Sequence, residues 1–584
     1  MKRLVISLLA AAAINIPVIA DHESALIPQA LESEAEGKLA LQAYEKAFDR
    51  GDKYKGLIFD DNVDLVMPDG VTLSADIFRP DAPGTFPIIM SVTPYQKDMP
   101  WRVPPDHEAA QGQYQNWEVP NPERWVPKGF VLVRVDIRGT GLSNGIATIG
   151  GQQDWEDFYN AIEWAAKQPW SNGNVGLAGV SYMALNQWHV ADLQPPSLKA
   201  IIPWEGLADV YRDSSYVGGI YSAAFQNVYL PEFYRDAVLR GWKTAATKET
   251  FAQTSAWDVA YNSLVGADYW KDKIPDWSKV KVPMLSAGNW NGWKGAGHLR
   301  GNLEGFKRAA SKNKRLRVHT GAHQDAYYSE EGFLEQLRFY DYWLAGIKNG
   351  VDKDAPVKLA VRNGPERFDF TWREEQEWPL ARTEYKKMYL VASDGPVGAL
   401  VPKPSKKVTT SSYKSPGLLL AGNVKEDGTS IQFVSPPFEE DTEITGEILL
   451  NVWMSSTIED AFPHVAMFRV TEEGRDVVTI GRLRASQRAL DKKRSTPSRP
   501  YHTHKQRDLL KPGVPVELKI EISPTSMIYP RGSRLMINLS GDSPATLMAT
   551  WISSRKAKNG VETVHAGGKF DSYLQIPVIP AENK

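Results

Sequence analysis

Six short apolar runs, bounded by turn residues, restrict the first half of this chain to few folds. They are F-P-I-I-M-S-V (86–92), F-V-L-V-R-V-D (130–136), N-V-G-L-A-G-V (174–180), L-K-A-I-I-P-W (198–204), V-P-M-L-S-A-G (282–288) and L-R-V-H-T-G (316–321). Helical patterns separate several of them, as in D-W-E-D-F-Y-N-A-I-E-W-A-A-K (154–167). Buried strands alternating with helices predict an α/β fold with a mostly parallel sheet. Ahead of them, N-V-D-L-V-M-P-D-G-V-T-L-S-A-D-I-F-R-P reads as two strands around a D-G turn.

The remaining segments divide the chain. M-K-R, an apolar run and V-I-A before Asp21 have the layout of a secretory signal, so residues 1–20 are expected to be removed on export to the periplasm or medium. That run is interrupted by Asn15 and Pro17 and is short for a membrane span, and no membrane association is expected after its removal. Residues 21–58 read as a charged helical arm, 59–204 as the first part of the α/β core and 279–352 as its second part. The stretch 205–278 is too long for one crossover and rich in aromatics and helix formers, which predicts a helical cap over the carboxyl edge of the sheet. From 353 to 584, short alternating segments with recurrent turn signals predict an antiparallel β-sandwich of jelly-roll type.

Composition narrows the chemistry. A net charge of −2 gives no footprint for nucleic acid. The absence of cysteine from all 584 residues excludes disulfides, thiolate metal sites and a cysteine nucleophile. The chain contains no H-E-x-x-H, and G-T-G-L-S-N-G fits neither G-x-G-x-x-G nor a P-loop, so neither a metal nor another cofactor is expected.

The stretch G-L-A-G-V-S-Y-M-A (176–184) places Ser181 between a strand and a helix, with Gly179 two residues before it. Such a turn exposes a serine at the carboxyl edge of a sheet, where a nucleophile belongs. A neutral serine also needs a base, a group that orients the base, and donors for an oxyanion. His323, just beyond the last predicted strand, is the base candidate in the chain order nucleophile–acid–histidine. His319, inside that strand, reads as a packed residue, while His298 and His189 fit the order less well. The backbone N–H of Tyr182 and the hydroxyl of Tyr95, in T-P-Y-Q-K, are the oxyanion candidates. The H-T-H of 502–504 reads as structural.

Several stretches together resemble the cocaine-esterase and X-prolyl dipeptidyl peptidase family of serine hydrolases. They are R-G-T-G-L-S-N-G after the strand ending in Asp136, G-V-S-Y-M-A and T-P-Y-Q-K. In the C-terminal part S-P-P-F-E-E-D-T-E-I-T-G, L-R-A-S-Q-R and P-R-G-S-R-L-M-I-N-L-S are similar to that family's jelly-roll domain. The resemblance runs from about residue 60 to the end. It implies an α/β-hydrolase core, a cap and a jelly roll, and hydrolysis of esters or amides through an acyl-enzyme. It also implies Ser181 as nucleophile, His323 as base, and Tyr95 with the Tyr182 amide as oxyanion donors.

Two positions depart from the family pattern. Ala184 stands where the family usually has glycine, and Gly292, in A-G-N-W-N-G-W, stands at the usual aspartate position. The acid is then expected to be Glu205, at the end of a neighbouring strand, with Glu304 as runner-up and Asp325 pointing elsewhere. The expected activity is that of an exported, cofactor-independent carboxylic ester hydrolase. Its alternatives are an amide hydrolase (X-prolyl or aminoacyl peptidase, or β-lactam acylase), an acyltransferase, or a non-catalytic binding protein on a degenerate scaffold.

Overall fold

The computed structural model describes residues 23–580 except 104–106, 108–109, 149, 223–262, 267, 292–296, 365–368, 416–427 and 542–559, with side chains from residue 34 onward. The expected signal segment and Gly292 lie outside the described residues.

Helix α1 (Glu23–Phe48) is the predicted arm. It is tied down: Tyr44 Oη donates to Asp341 at 2.7 Å and Arg50 ion-pairs with the same carboxylate at 2.7 Å. The core sheet follows as β1 (Leu57–Val66), β2 (Thr72–Pro80), β3 (Phe86–Thr93), β4 (Val131–Asp136), β5 (Ser171–Ser181), β6 (Leu198–Gly206), β7 (Met284–Asn289) and β8 (Lys314–His319). The pairings give the order β1–β2–β4–β3–β5–β6–β7–β8, with parallel pairing from β4 onward. Every residue of β3 and β4 is buried, as the unbroken apolar runs predict for strands covered on both faces. The covering helices are α2 (Gln152–Ala166), α3 (Tyr182–Asp192), α4 (His298–Arg308) and α5 (Glu330–Trp343).

Gly301 brings α4 close to the end of β6. A Cβ there would lie 2.2 Å from the Gly206 carbonyl oxygen, so the helix axis could not approach as it does with any larger residue. This approach carries the first turn of α4 to the carboxyl edge of the sheet.

One expectation changes. The helices expected of the cap fall on 223–262, outside the described residues, and the described remainder of 205–278 is short elements. It comprises a π-turn at Tyr211–Ser215, a two-residue hairpin and a 3-10 turn at Asp268–Trp270. The C-terminal part is all-β as expected, but its ladders do not divide into the two separate sheets of a jelly roll. Thr442–Ser456 pairs with Val516–Tyr529, and the pairing continues through Arg475–Arg482, His464–Val470, Arg534–Ser540 and Ser430–Val434. It then passes through Val397–Val401, Glu384–Val391 and Tyr573–Ile579 back to Thr442–Ser456, closing a β-barrel. Closure leaves no unpaired edge along that circuit. Inside it pack Leu450, Val452, Met467, Ile520, Ile537 and Leu574, each at most 1% exposed. The core sheet also runs past residue 352: Val357–Arg362 pairs parallel with β8, and its Arg362 meets Met527 of the barrel.

Candidate active site

The turn between β5 and α3 is built as its glycine suggests. Gly179 has φ +136°, and a Cβ there would lie 2.4 Å from that of Met183. Ser181 itself holds φ 60°, ψ −111°, a conformation that costs about 1–3 kcal/mol and persists only where the surroundings enforce it. The enforcement is visible on both sides. The Val180 N–H donates to the Glu118 carbonyl at 3.1 Å, and Ser181 stands in register with Gly206 of β6. The departure at Ala184 is accommodated here too. A Cβ on Gly206 would lie 2.8 Å from the Ala184 methyl, so the missing side chain is on the strand instead of the helix.

Around Ser181 the structure gathers His298, His323, His319, Glu205 and Glu118. Glu205, at the end of β6, is buried and holds φ 44°. Its Oε2 accepts from His323 Nδ1 at 2.7 Å, and its Oε1 accepts from His319 Nε2 at 2.9 Å and from Asn289 Nδ2 at 3.3 Å. Burial alone would raise its carboxyl, but His323 and His319 outweigh that and hold it well below the usual carboxylate range. The expected meeting of Glu205 and His323 is therefore present in the geometry.

The expected approach of His323 to Ser181 is not. Ser181 Oγ lies 3.0 Å from Nε2 of His298, the histidine that chain order disfavoured. His323 Nε2 instead donates to Glu118 Oε1 at 3.0 Å. The two imidazoles stack with centroids 4.6 Å apart and planes 21° apart. Burial disfavours charge on His323, yet the carboxylates on its two nitrogens raise its pKa to about 10. His298 is lowered to about 3, by burial and then by the charge of His323. Burial likewise raises the Glu118 carboxyl.

The other candidates fall as follows. Tyr95, on the loop after β3, and Tyr182 are both buried, with ring centroids 6.4 Å apart, and the Tyr182 hydroxyl accepts from the Gly150 N–H at 3.1 Å. Asn186 Nδ2 donates to the Val92 carbonyl at 2.7 Å, fastening α3 to the end of β3. Glu304 faces away, paired with Lys307 at 3.1 Å and with Arg499 of the barrel domain at 2.9 Å. Asp325 accepts from the Ala322 N–H at 2.5 Å. His319 is buried as expected and, beyond packing, shares Glu205. His502 and His504 lie against Arg212 and Gln487, with His504 Nδ1 2.8 Å from Gln487 Oε1.

Sequence reasoning missed His298 and Glu118 as members of this cluster. For His298 a signal existed: Gly297 precedes it, and Gly301 makes the helix a close-packing one. In N-W-E-V-P nothing distinguishes Glu118 from a surface glutamate.

Comparison with known proteins identifies the family. Residues 69–325 match the X-Pro dipeptidyl-peptidase (S15) family and residues 349–575 match the C-terminal non-catalytic domain of X-Pro dipeptidyl-peptidases. The cocaine esterase of a Rhodococcus species is 24% identical over 605 residues, covering 89% of this chain and 98% of the esterase. The crystal structure of a CocE/NonD family hydrolase from Staphylococcus aureus superposes with a TM-score of 0.78 at 30% identity, covering 90% of this chain and 94% of that one. An aminopeptidase from a marine-sediment Thaumarchaeota archaeon shares the fold, with a TM-score of 0.67 at 17% identity over 91% of this chain and 97% of that one. Two adjoining domain matches, together with a 30% identical relative aligned along nine-tenths of the sequence, make this chain a serine hydrolase of the cocaine-esterase-like (CocE/NonD), X-Pro dipeptidyl-peptidase (S15) family.

Proposed function

We propose that this hydrolase cleaves carboxylic esters through an acyl-enzyme formed on Ser181. The observation that carries the reading is the strained serine at the end of β5, its Oγ 3.0 Å from Nε2 of His298, whose ring stacks on the His323 that the ionised, buried Glu205 holds. His323, which chain order favours and whose Nδ1 the Glu205 carboxylate holds, takes the Ser181 proton. Oγ attacks the carbonyl carbon, and the displaced electron pair resides on oxygen between the Tyr182 N–H and the Tyr95 hydroxyl. Loss of one such donor costs about 2.7–4 kcal/mol of transition-state stabilisation. The alkoxide leaves with the proton, and water repeats the sequence to release the acid.

Ester hydrolysis is favoured over amide cleavage because, among the described residues, no recognised element fixes a peptide's N-terminal amine. The peptidase names among the relatives support the second reading, aminoacyl or X-prolyl amide hydrolysis. We propose further that residues 1–20 act as an export signal; no helix among the described residues is long and apolar enough to cross a membrane. N-terminal sequencing of the exported protein should begin at Asp21, and retention of Met1 would refute the signal.

The decisive experiment is intact-mass labelling with a fluorophosphonate. One adduct on the parent and none on Ser181→Ala is the expected result; a folded parent that takes no label would overturn the reading. Turnover of acyl esters against aminoacyl amides then separates the two substrate classes.

A further inference from the structure

We propose that Glu118 is a positioning residue that latches the site at rest, holding the His323 nitrogen that must accept the Ser181 proton until that contact opens. The inference rests on Ser181 and His323 being nucleophile and base as read above. In a serine triad the base keeps its acid on Nδ1 and meets the serine through Nε2. Here Nδ1 donates to Glu205 at 2.7 Å as that scheme requires, but Nε2 is spent on Glu118 Oε1 at 3.0 Å. With both nitrogens donating, the imidazole has no lone pair to offer Ser181. The serine is parked to match, its Oγ 3.0 Å from Nε2 of His298, on the ring stacked against its base.

The latch is built in. Glu118 holds φ 61° and Gln324 φ 74°, left-handed conformations uncommon for either residue. Ser181 and Glu205 share that strain at 60° and 44°, and strain of this kind gathers where a site is held in one geometry. Gln324 Nε2 donates to Glu118 Oε1 at 2.9 Å, and the Glu118 carbonyl accepts the Val180 N–H at 3.1 Å, next to the nucleophile. Glu118 thus reaches His323 from a backbone fixed to the serine's own strand.

The two carboxylates on His323 are not equivalent, and the difference decides which one yields. Glu205 uses both oxygens, Oε2 for His323 and Oε1 for His319 and Asn289. Glu118 uses one. Its Oε1 takes both donors, while its buried Oε2 has no hydrogen-bond partner among the described residues. A buried carboxylate with an oxygen unpaired is costly to keep charged. Burial accordingly raises the Glu118 carboxyl, and the Nε2 contact is the weaker of the two.

Opening the latch balances as follows. The Nε2–H bond breaks and its proton goes to water, which the partly exposed His323 side chain reaches, leaving a neutral imidazole on Glu205. Ser181 Oγ then turns from His298 to the freed Nε2, gives it the hydroxyl proton and bonds the carbonyl carbon. The charged and titratable groups facing His323 are Glu205 from β6, Glu118 from the β3–β4 connection, His298 from α4 and, across Glu205, His319 from β8. Burial opposes the imidazolium, yet the two carboxylates raise it to about 10. Removing the Glu118 charge should therefore make the base available at lower pH.

The test measures the pH profile of fluorophosphonate labelling for the full-length parent, Glu118→Gln, Glu118→Ala and His323→Ala, each checked for a parental circular-dichroism spectrum. Glu118→Gln keeps an acceptor for His323 and Gln324 and removes the charge. Loss of one opposite charge moves a titration by about 1–3 pH units. The inflection of the rate profile should fall by that much, with labelling near neutral pH at least about 10-fold faster than the parent's. Should Glu118→Gln not fold, Glu118→Ala carries the same reading. His323→Ala should label at least about 100-fold more slowly. Equal or slower labelling of the Glu118 variant near neutral pH, or an inflection where the parent has its own, overturns the latch. A residue that only held the fold would lower the rate without moving the inflection. Parental labelling of His323→Ala refutes the His323 reading and an unlabelled parent the Ser181 reading, which keeps the failures distinguishable.

Discussion

Two buried carboxylates stand at the carboxyl ends of strands in the same sheet, and their surroundings give them opposite characters. Asp136, ending β4, is held by the backbone, with Oδ1 accepting from the Lys97 N–H at 2.6 Å and Oδ2 from the Leu142 N–H at 3.1 Å. Burial raises its pKa to about 7, against the opposing pull of Lys97. Glu205, ending β6, is equally buried but is met by two imidazoles and an amide side chain, and it stays ionised. Backbone donors cannot titrate or move, so Asp136 fastens the loop that follows it. Imidazoles can exchange protons, so the same burial at Glu205 supplies a field that reaches Ser181. What surrounds a buried carboxylate, more than how deeply it is buried, decides between fastening and chemistry.

The largest expected break in this comparison is Glu205→Gln. Without the anion the His323 imidazolium loses its anchor, and kcat/KM for an acyl ester should fall by about 10²–10⁴-fold, as for other triad acids. Its stability effect has a defined pH window. A carboxyl with a lowered folded-state pKa contributes stability above its unfolded value near 4.3 and loses it as pH falls. A histidine with a raised one contributes below about 6.5 and loses it as pH rises towards 10. The gap in melting temperature between parent and Glu205→Gln should therefore be widest between about pH 4.5 and 6.5 and narrow on both sides.

Next in size is Gly206→Ala, which forces a methyl against that of Ala184 beside Ser181. Overpacking costs about 1–3 kcal/mol, and the companion change Ala184→Gly should recover both melting temperature and ester turnover. Failure of the double variant to recover would show that the β6 end is set by other contacts.

Asp136→Asn should behave as the opposite of Glu205→Gln, losing about 1–3 kcal/mol because one amide N–H then faces a donor, with kcat per folded molecule within about 3-fold of the parent. A carboxyl with a raised folded-state pKa loses stability as pH climbs from about 3.9 to 7. The parent's advantage over Asp136→Asn, read from thermal melts, should therefore shrink across that interval. The smallest effect belongs to Glu304→Gln. Its carboxylate joins α4 to the barrel domain through Arg499, so it should lower the melting temperature slightly and leave ester turnover within about 3-fold. A loss as large as that of Glu205→Gln would break the comparison altogether.

Much of this arrangement was legible in the sequence because it is local. The apolar runs at 86–92 and 130–136 became wholly buried strands, and G-L-A-G-V-S became a strained turn because only glycine at 179 clears Met183. Glu205 could be named because it ends a strand beside that of Ser181. The barrel closure was less legible, since alternation reports which residues face inward and says little about which strand is the next neighbour.

By itself, then, the sequence determined the parallel α/β core, the all-β second half, the serine at the turn and the exclusion of cysteine chemistry. Each of these follows from residue type and short-range spacing. Only the tertiary structure decided which histidine faces Ser181, 117 residues away along the chain, and that Glu118 occupies the other nitrogen of His323. Those meetings depend on strand order and on how closely α4 can approach β6, and no local pattern encodes a distance between side chains brought together by packing.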